Sequence, residues 1–131
     1  MTDTLTSLSS NRAKAEPIEF DHDVLVALCQ RHGHQTEEFL AITLSQVEQL
    51  LALAKLQFNA EQISGLSRTA QDLQHVARMI GMRTLETTAR AVEACAAQND
   101  RPALAACTQR LLRLGHPESI DQWTVCHNTV A

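Results

Sequence analysis

The residues that decide the fold are ISGLSRTAQDLQHVARMIG, positions 63–81. Their apolar members are Ile63, Leu66, Ala70, Leu73, Ala77 and Ile80, spaced 3, 4, 3, 4, 3. A helix that buries one stripe against neighbouring helices produces that alternation; a strand, whose side chains alternate with period two, does not. Gly81 follows the last apolar position, where a helix commonly stops on a left-handed residue. Upstream, Asn59 with Gln62 resembles a capping box, which predicts where this helix begins.

The same reading extends in both directions. Thr36 predicts a preceding helix to about Phe58, with Glu37 and Glu38 in its first turn, where carboxylates favour the positive helix end. That helix is apolar over much of its circumference (Phe39, Leu40, Ile42, Leu44, Val47, Leu50, Leu51, Leu53, Leu56), so it is expected to be the most buried. Before it, Asp21 predicts the cap of a short helix carrying Val24, Leu25 and Leu28, ended by Gly33. Downstream, a helix from about Arg83 to Gln98 turns Leu85, Ala89, Val92 and Ala96 inward. Asn99 and Asp100 make a turn, Pro102 sits just inside a last helix with Leu104, Cys107, Leu111 and Leu114 inward, and Gly115 ends it. Residues 1–16 are polar and aperiodic, which predicts a mobile tail ahead of one domain over 17–131. A final turn is expected to hold Ile120 and Trp123 against the bundle.

Composition agrees with an all-α domain. The chain has 131 residues, 44 % hydrophobic, with four Gly, three Pro, one Trp and no Tyr, so Leu, Ala, Ile and Val must build the core. The formal net charge is −4 and no run of Lys or Arg occurs, which argues against nucleic-acid and anionic-membrane partners. No apolar stretch is read as approaching the roughly 18 residues that span a bilayer. The N-terminus lacks the basic-then-apolar order of a secretory signal, so the expected location is the cytoplasm. Cys29, Cys95, Cys107 and Cys126 form no C-x-x-C pair and are read as reduced packing residues. His32 and His34 lie at the end of the first helix with His22 and Cys29 nearby, too few and too local for a metal site, so neither metal nor cofactor is expected.

The polar arc of 63–81 is the candidate site. Advancing about 100° per residue from Ile63, the seam centres near −50°, with Gln74 near 20°, Arg78 near 60°, Gln71 near 80°, His75 near 120°, Arg68 near 140° and Met79 near 160°. Val76, near −140°, also points off the seam. An exposed strip with one His, two Arg and two apolar residues has the outline of an interaction surface.

The order of residues in AQDLQHVARMIGMRTL, 70–85, resembles the core motif of histidine-containing phosphotransfer (HPt) domains, roughly A-H-x-L-K-G-x-x-x-x-x-G-A/L-x-x-L. Ala70, Leu73, Gly81 and Leu85 match in register; the TTARAVE stretch ending at Glu93, an upstream F-L-x-x-x-L-x-x-V and a final A-L-x-x-C-x-x-x-L also fit, so the likeness covers about residues 18–115. The resemblance implies an up-down four-helix bundle with an additional N-terminal helix, and a role in two-component phosphorelay signalling. The chain departs from the motif at its chemistry. Gln71 stands at the acceptor His, Gln74 at the Lys three residues on, and His75 at the small Gly that lets a receiver domain approach. A carboxamide lacks the basic lone pair that makes neutral imidazole a phosphoryl acceptor, so Gln71 cannot be phosphorylated.

The resemblance therefore implies a non-phosphorylatable adaptor or regulator, a pseudo-HPt protein that docks a response-regulator receiver domain or a histidine kinase through Arg68, Gln71, Gln74, His75, Arg78 and Met79. One alternative makes His75 a relocated acceptor, with Arg78 in place of the missing Lys. It requires the imidazole to move about 6 Å along the helix, and in-line transfer tolerates little misplacement. A second alternative is a helical homodimerisation module seamed by Val76 and Met79, so the expected state is a monomer for the adaptor or a weak homodimer for the module.

Overall fold

A computed structural model describes Glu19 and residues 21–115; the expected tail at 1–16, Ile120, Trp123 and Cys126 lie outside the described residues. Among the described residues there are five α-helices and no strands: α1 (His22–His32), α2 (Thr36–Asn59), α3 (Ile63–Met79), α4 (Arg83–Ala97) and α5 (Arg101–Arg113), with a short 3-10 turn, Gly33–Gln35, between α1 and α2. The fold is all-α. Helices α2 to α5 each pack on the next, and α2 also meets α5, which closes an up-down bundle; α1 leans on α2.

The sharp reversals have one cause. After α2, α3 and α4 the chain places a left-handed residue, Glu61 (φ 57°), Gly81 (φ 74°) and Asn99 (φ 55°). The amide that follows reaches back five residues: Gln62 N–H to Gln57 (2.8 Å), Met82 N–H to Ala77 (2.9 Å), Asp100 N–H to Cys95 (3.1 Å). These are Schellman caps, which satisfy the orphan carbonyls of a helix end while turning the chain back at once. Asp21 caps α1 by accepting from Val24 N–H (3.3 Å), and Asp100 caps α5 by accepting from Ala103 N–H (3.2 Å).

The capping box expected at Asn59 and Gln62 does not form. Asn59 is the last residue of α2, and Gln62 precedes α3 with no side-chain cap bond, because the backbone cap at Glu61 and Gln62 already occupies that turn. The seam of α3 is as expected: Leu66, Ala70, Leu73, Ala77 and Ile80 are all 0 % exposed. They pack with Leu25, Leu40, Val47, Leu51, Leu85, Val92, Leu104 and Leu111 into one core.

Two expectations about α2 are corrected. It buries Leu40, Val47, Leu51 and Ala54 but leaves Ile42 (57 %), Leu53 (42 %) and Leu56 (67 %) exposed. A helix with bundle neighbours on its inner side has an outer arc that nothing covers, however apolar its composition. The helical run His22–Asn59 also contains an 18-residue window of mean hydropathy 1.3, 28 % buried, which by length and composition alone suffices to cross a membrane.

The start of α1 is tied to the α3–α4 corner. Asp21 N–H donates to Gly81 carbonyl (2.8 Å), Arg83 N–H to Glu19 carbonyl (2.9 Å), and Glu19 N–H to Thr84 Oγ1 (2.6 Å). Gly81 sits against this strap: a Cβ there would meet Asp21 O at 3.0 Å and Val24 Cβ at 3.2 Å.

Candidate functional site

The polar arc of α3 does not present one face; its two flanks serve two different helices. On the α4 side, the Gln71 carboxamide donates to one oxygen of Glu93 and the Gln74 carboxamide donates to the other (2.8 Å). One turn toward the end of α3, Arg78 Nε donates to Glu86 (2.8 Å), and Arg90 Nη2 reaches the same oxygen from within α4 (3.0 Å). Gln71 to Arg78 and Glu86 to Glu93 are each seven residues, two helical turns. An antiparallel pair in fixed register therefore brings both contacts into line.

The Gln74 and Gln71 bonds, in that order, hold the Glu93 carboxyl below its ordinary range, with burial opposing them weakly. A carboxylate that accepts two N–H donors is favoured in its charged form. Glu93 is thus an anion at neutral pH, fixed beside Gln71.

On the α2 side the chemistry differs. A groove of about 460 Å³ is lined by Asp72, His75 and Val76 of α3 and by Gln46, Gln49, Leu50 and Leu53 of α2. His75 is exposed. Val76 was expected to be exposed, yet it is half-buried and packs against the core, because α2 runs along that flank. The apolar seam expected for a homodimer is thereby reduced to Met79, 45 % exposed. Arg68 is exposed one turn before Gln71 and Asp72.

The structure therefore engages Gln71 and Gln74 with Glu93 and, separately, Arg78 with Glu86, both on α4, places His75 along the groove toward α2, and leaves Arg68 and Met79 in solvent. Arg78, suggested as the cation for a relocated acceptor, is engaged by Glu86 although 64 % of its side chain is exposed. Glu86, Arg90 and Glu93 were not singled out from sequence. The available signal was the matching seven-residue interval on α3 and α4, which becomes visible only once their register is known.

Chemically, the α4 flank presents carboxamides and a carboxylate with no nucleophile of imidazole basicity. Among the described residues no three His, Cys, Asp or Glu side chains gather to hold a metal ion. At the α1–α2 junction His32 is stacked on Phe39, ring centroids 4.2 Å apart.

A family model described as Hpt domain matches residues 38–122. No curated protein and no solved structure matches the chain.

Proposed function

The chain belongs to the Hpt domain family of phosphorelay signalling, and on that footing we propose that it is a pseudo-phosphotransfer protein, an adaptor or regulator that docks a receiver domain or histidine kinase without accepting a phosphoryl group. The observation that carries the reading is the clamp of Gln71 and Gln74 on Glu93. At the register where the family motif has its acceptor, this chain has an amide whose N–H is already committed. Beside it stands an ionised carboxylate that repels an incoming phosphoryl group. The Lys of the motif, which would neutralise such a group, is replaced by Gln74, itself committed to Glu93.

The fold that would carry docking is retained around this exchange. Arg68, Gln71, Gln74, His75, Arg78 and Met79 lie along the polar arc of α3, with Gln71, Gln74 and Arg78 on the flank bonded to α4 and His75 toward α2, and the partner would meet amides, one imidazole and a partly screened guanidinium. Such a surface recognises by hydrogen bonding and shape. Its affinity for a partner would not depend on the phosphorylation state of this chain. A protein of this kind works where its partner is, which for this reading is the cytoplasm.

The test is phosphotransfer from a panel of phosphorylated receiver domains, run with the native chain and His75→Ala, beside direct measurement of receiver and kinase binding. The expected result is binding with no label on either protein. Label on the native chain that vanishes in His75→Ala would instead make His75 the acceptor. Neither label nor binding, with self-association that rises with concentration, would replace the signalling role by the homodimer module.

A further inference from the structure

The two cysteines on the α4–α5 hairpin are neighbours. Cys95, late in α4, and Cys107, midway along α5, lie with their sulfurs 3.8 Å apart, and both are half-buried free thiols. The sequence places them twelve residues apart with the Asn99–Asp100 turn between; it is the antiparallel packing of α4 on α5 that brings them into contact. Neither belongs to the Gln71–Glu93 network.

We propose that Cys95 and Cys107 form a redox-active dithiol that closes reversibly to a disulfide in the presence of a peroxide, stapling α4 to α5. A disulfide requires sulfurs about 2.05 Å apart. The gap of 3.8 Å must close by rather less than 2 Å, within reach of modest χ1 rotations on two side chains that already face each other.

The chemistry balances with hydrogen peroxide as oxidant. One sulfur, as thiolate, attacks a peroxide oxygen and the O–O bond breaks, giving a sulfenic acid and hydroxide, which takes up a proton to become water. The second sulfur then attacks the sulfenic sulfur, the S–OH bond breaks, and the departing hydroxide leaves as water with the second thiol's proton. Two thiols and one peroxide become one disulfide and two waters, the two electrons passing from the sulfurs to the peroxide oxygens. Burial first, and then the adjacent Cys107, push the Cys95 thiol up, so its thiolate forms less readily than that of a free cysteine.

The experiment treats the full chain with a small excess of hydrogen peroxide and reads intact mass, peptide map and thermal midpoint, before and after dithiothreitol. The expected result is loss of two hydrogens, a peptide linking Cys95 to Cys107, and full reversal by the reductant. Closing that loop unstrained should raise the midpoint by about 10 °C. Cys107→Ser should lose both the link and the midpoint shift, and a Cys29→Ala, Cys126→Ala double variant should keep both. The proposal is overturned if the native chain shows no 95–107 link, if these two sulfurs run on to sulfinic acid unpaired, or if the bridged protein melts lower than the reduced one.

Discussion

Gly81→Ala tests the junction on which the α3–α4 corner and the start of α1 depend. Gly81 has φ 74°, where an L-residue costs about 1–2 kcal/mol. The added methyl also meets Asp21 O at 3.0 Å, Val24 Cβ at 3.2 Å and Val24 Cγ1 at 3.3 Å. Two of those three atoms belong to backbone or to a Cβ, so relief requires the start of α1 to shift, and overpacking of this kind costs about 1–3 kcal/mol. The combined loss is about 2–5 kcal/mol. For 131 residues the unfolding entropy near the midpoint is about 0.28 kcal/mol/K, so the midpoint should fall by about 7–18 °C. Thermal unfolding followed by far-ultraviolet circular dichroism measures this. Hydrogen exchange locates it: the Asp21 and Arg83 amides, which donate to Gly81 and Glu19, should lose protection before the amides of α3 do. A midpoint within about 3 °C of native, with both amides still protected, would refute the claim that the corner and α1 are locked through Gly81.

Leu73→Ala opens a cavity at a fully buried position of the α3 seam and should cost about 3–5 kcal/mol, read from the urea midpoint at unchanged m-value. Glu93 carries a pH dependence whose sign follows from its lowered pKa. Its amide bonds contribute stability above the unfolded carboxyl range, and that contribution is lost as pH falls through the folded value. The stability gap between native and Glu93→Gln should therefore narrow on acidification from about pH 6 to about pH 3, and a gap that stays constant would mean the clamp carries no linkage. Arg78→Ala should change stability by less than about 0.5 kcal/mol, because its side chain is 64 % exposed and Arg90 still serves Glu86. On the proposed function, Gln71→His combined with His75→Gly should take label from a phosphorylated receiver, scored by acid-labile phosphate on the protein, while the native chain should bind that receiver and stay unlabelled.

What the sequence disclosed and what it withheld separate along a physical line. The seam of α3, the stops at Gly33 and Gly81, the Asp21 cap and Pro102 at the head of α5 are local signals, carried by residues within one or two turns of each other. The resemblance at Ala70, Leu73, Gly81 and Leu85 is likewise a pattern of spacing, and its fold was legible. Most misses depended on how one helix meets another. The Asn59–Gln62 cap lost to a backbone cap formed with Gln57. The exposure of Ile42, Leu53 and Leu56, and the half-burial of Val76, depend on which flank of α2 its neighbours cover. Glu93 and Glu86 join the site through side chains 22 and 8 residues away. The Cys95–Cys107 contact spans 12 residues and two helices.

On the proposed function, Gln71 at the acceptor register makes physical sense only together with Glu93. A carboxamide in place of imidazole removes the nucleophile, but an unpartnered amide at the same place would leave the Glu93 carboxylate without its donors. With Gln71 and Gln74 both donating, that charge is held in place and ionised at neutral pH. A phosphoryl group on residue 71 would then sit beside a standing anion. Two unit charges about 4 Å apart repel by about 1 kcal/mol in water and about 4 kcal/mol near a protein surface, and a phosphoryl group brings more than one charge. Returning a His to position 71 thus restores a nucleophile into an unfavourable field, and Glu93→Gln should raise the extent of labelling of the Gln71→His, His75→Gly protein. If removing the Glu93 charge leaves labelling unchanged, the carboxylate is a bystander and the loss of chemistry resides in the single exchange at 71. If labelling rises, Gln71, Gln74 and Glu93 act as one unit, and the site is built around an amide–carboxylate clamp instead of being a phosphotransfer site short of one residue.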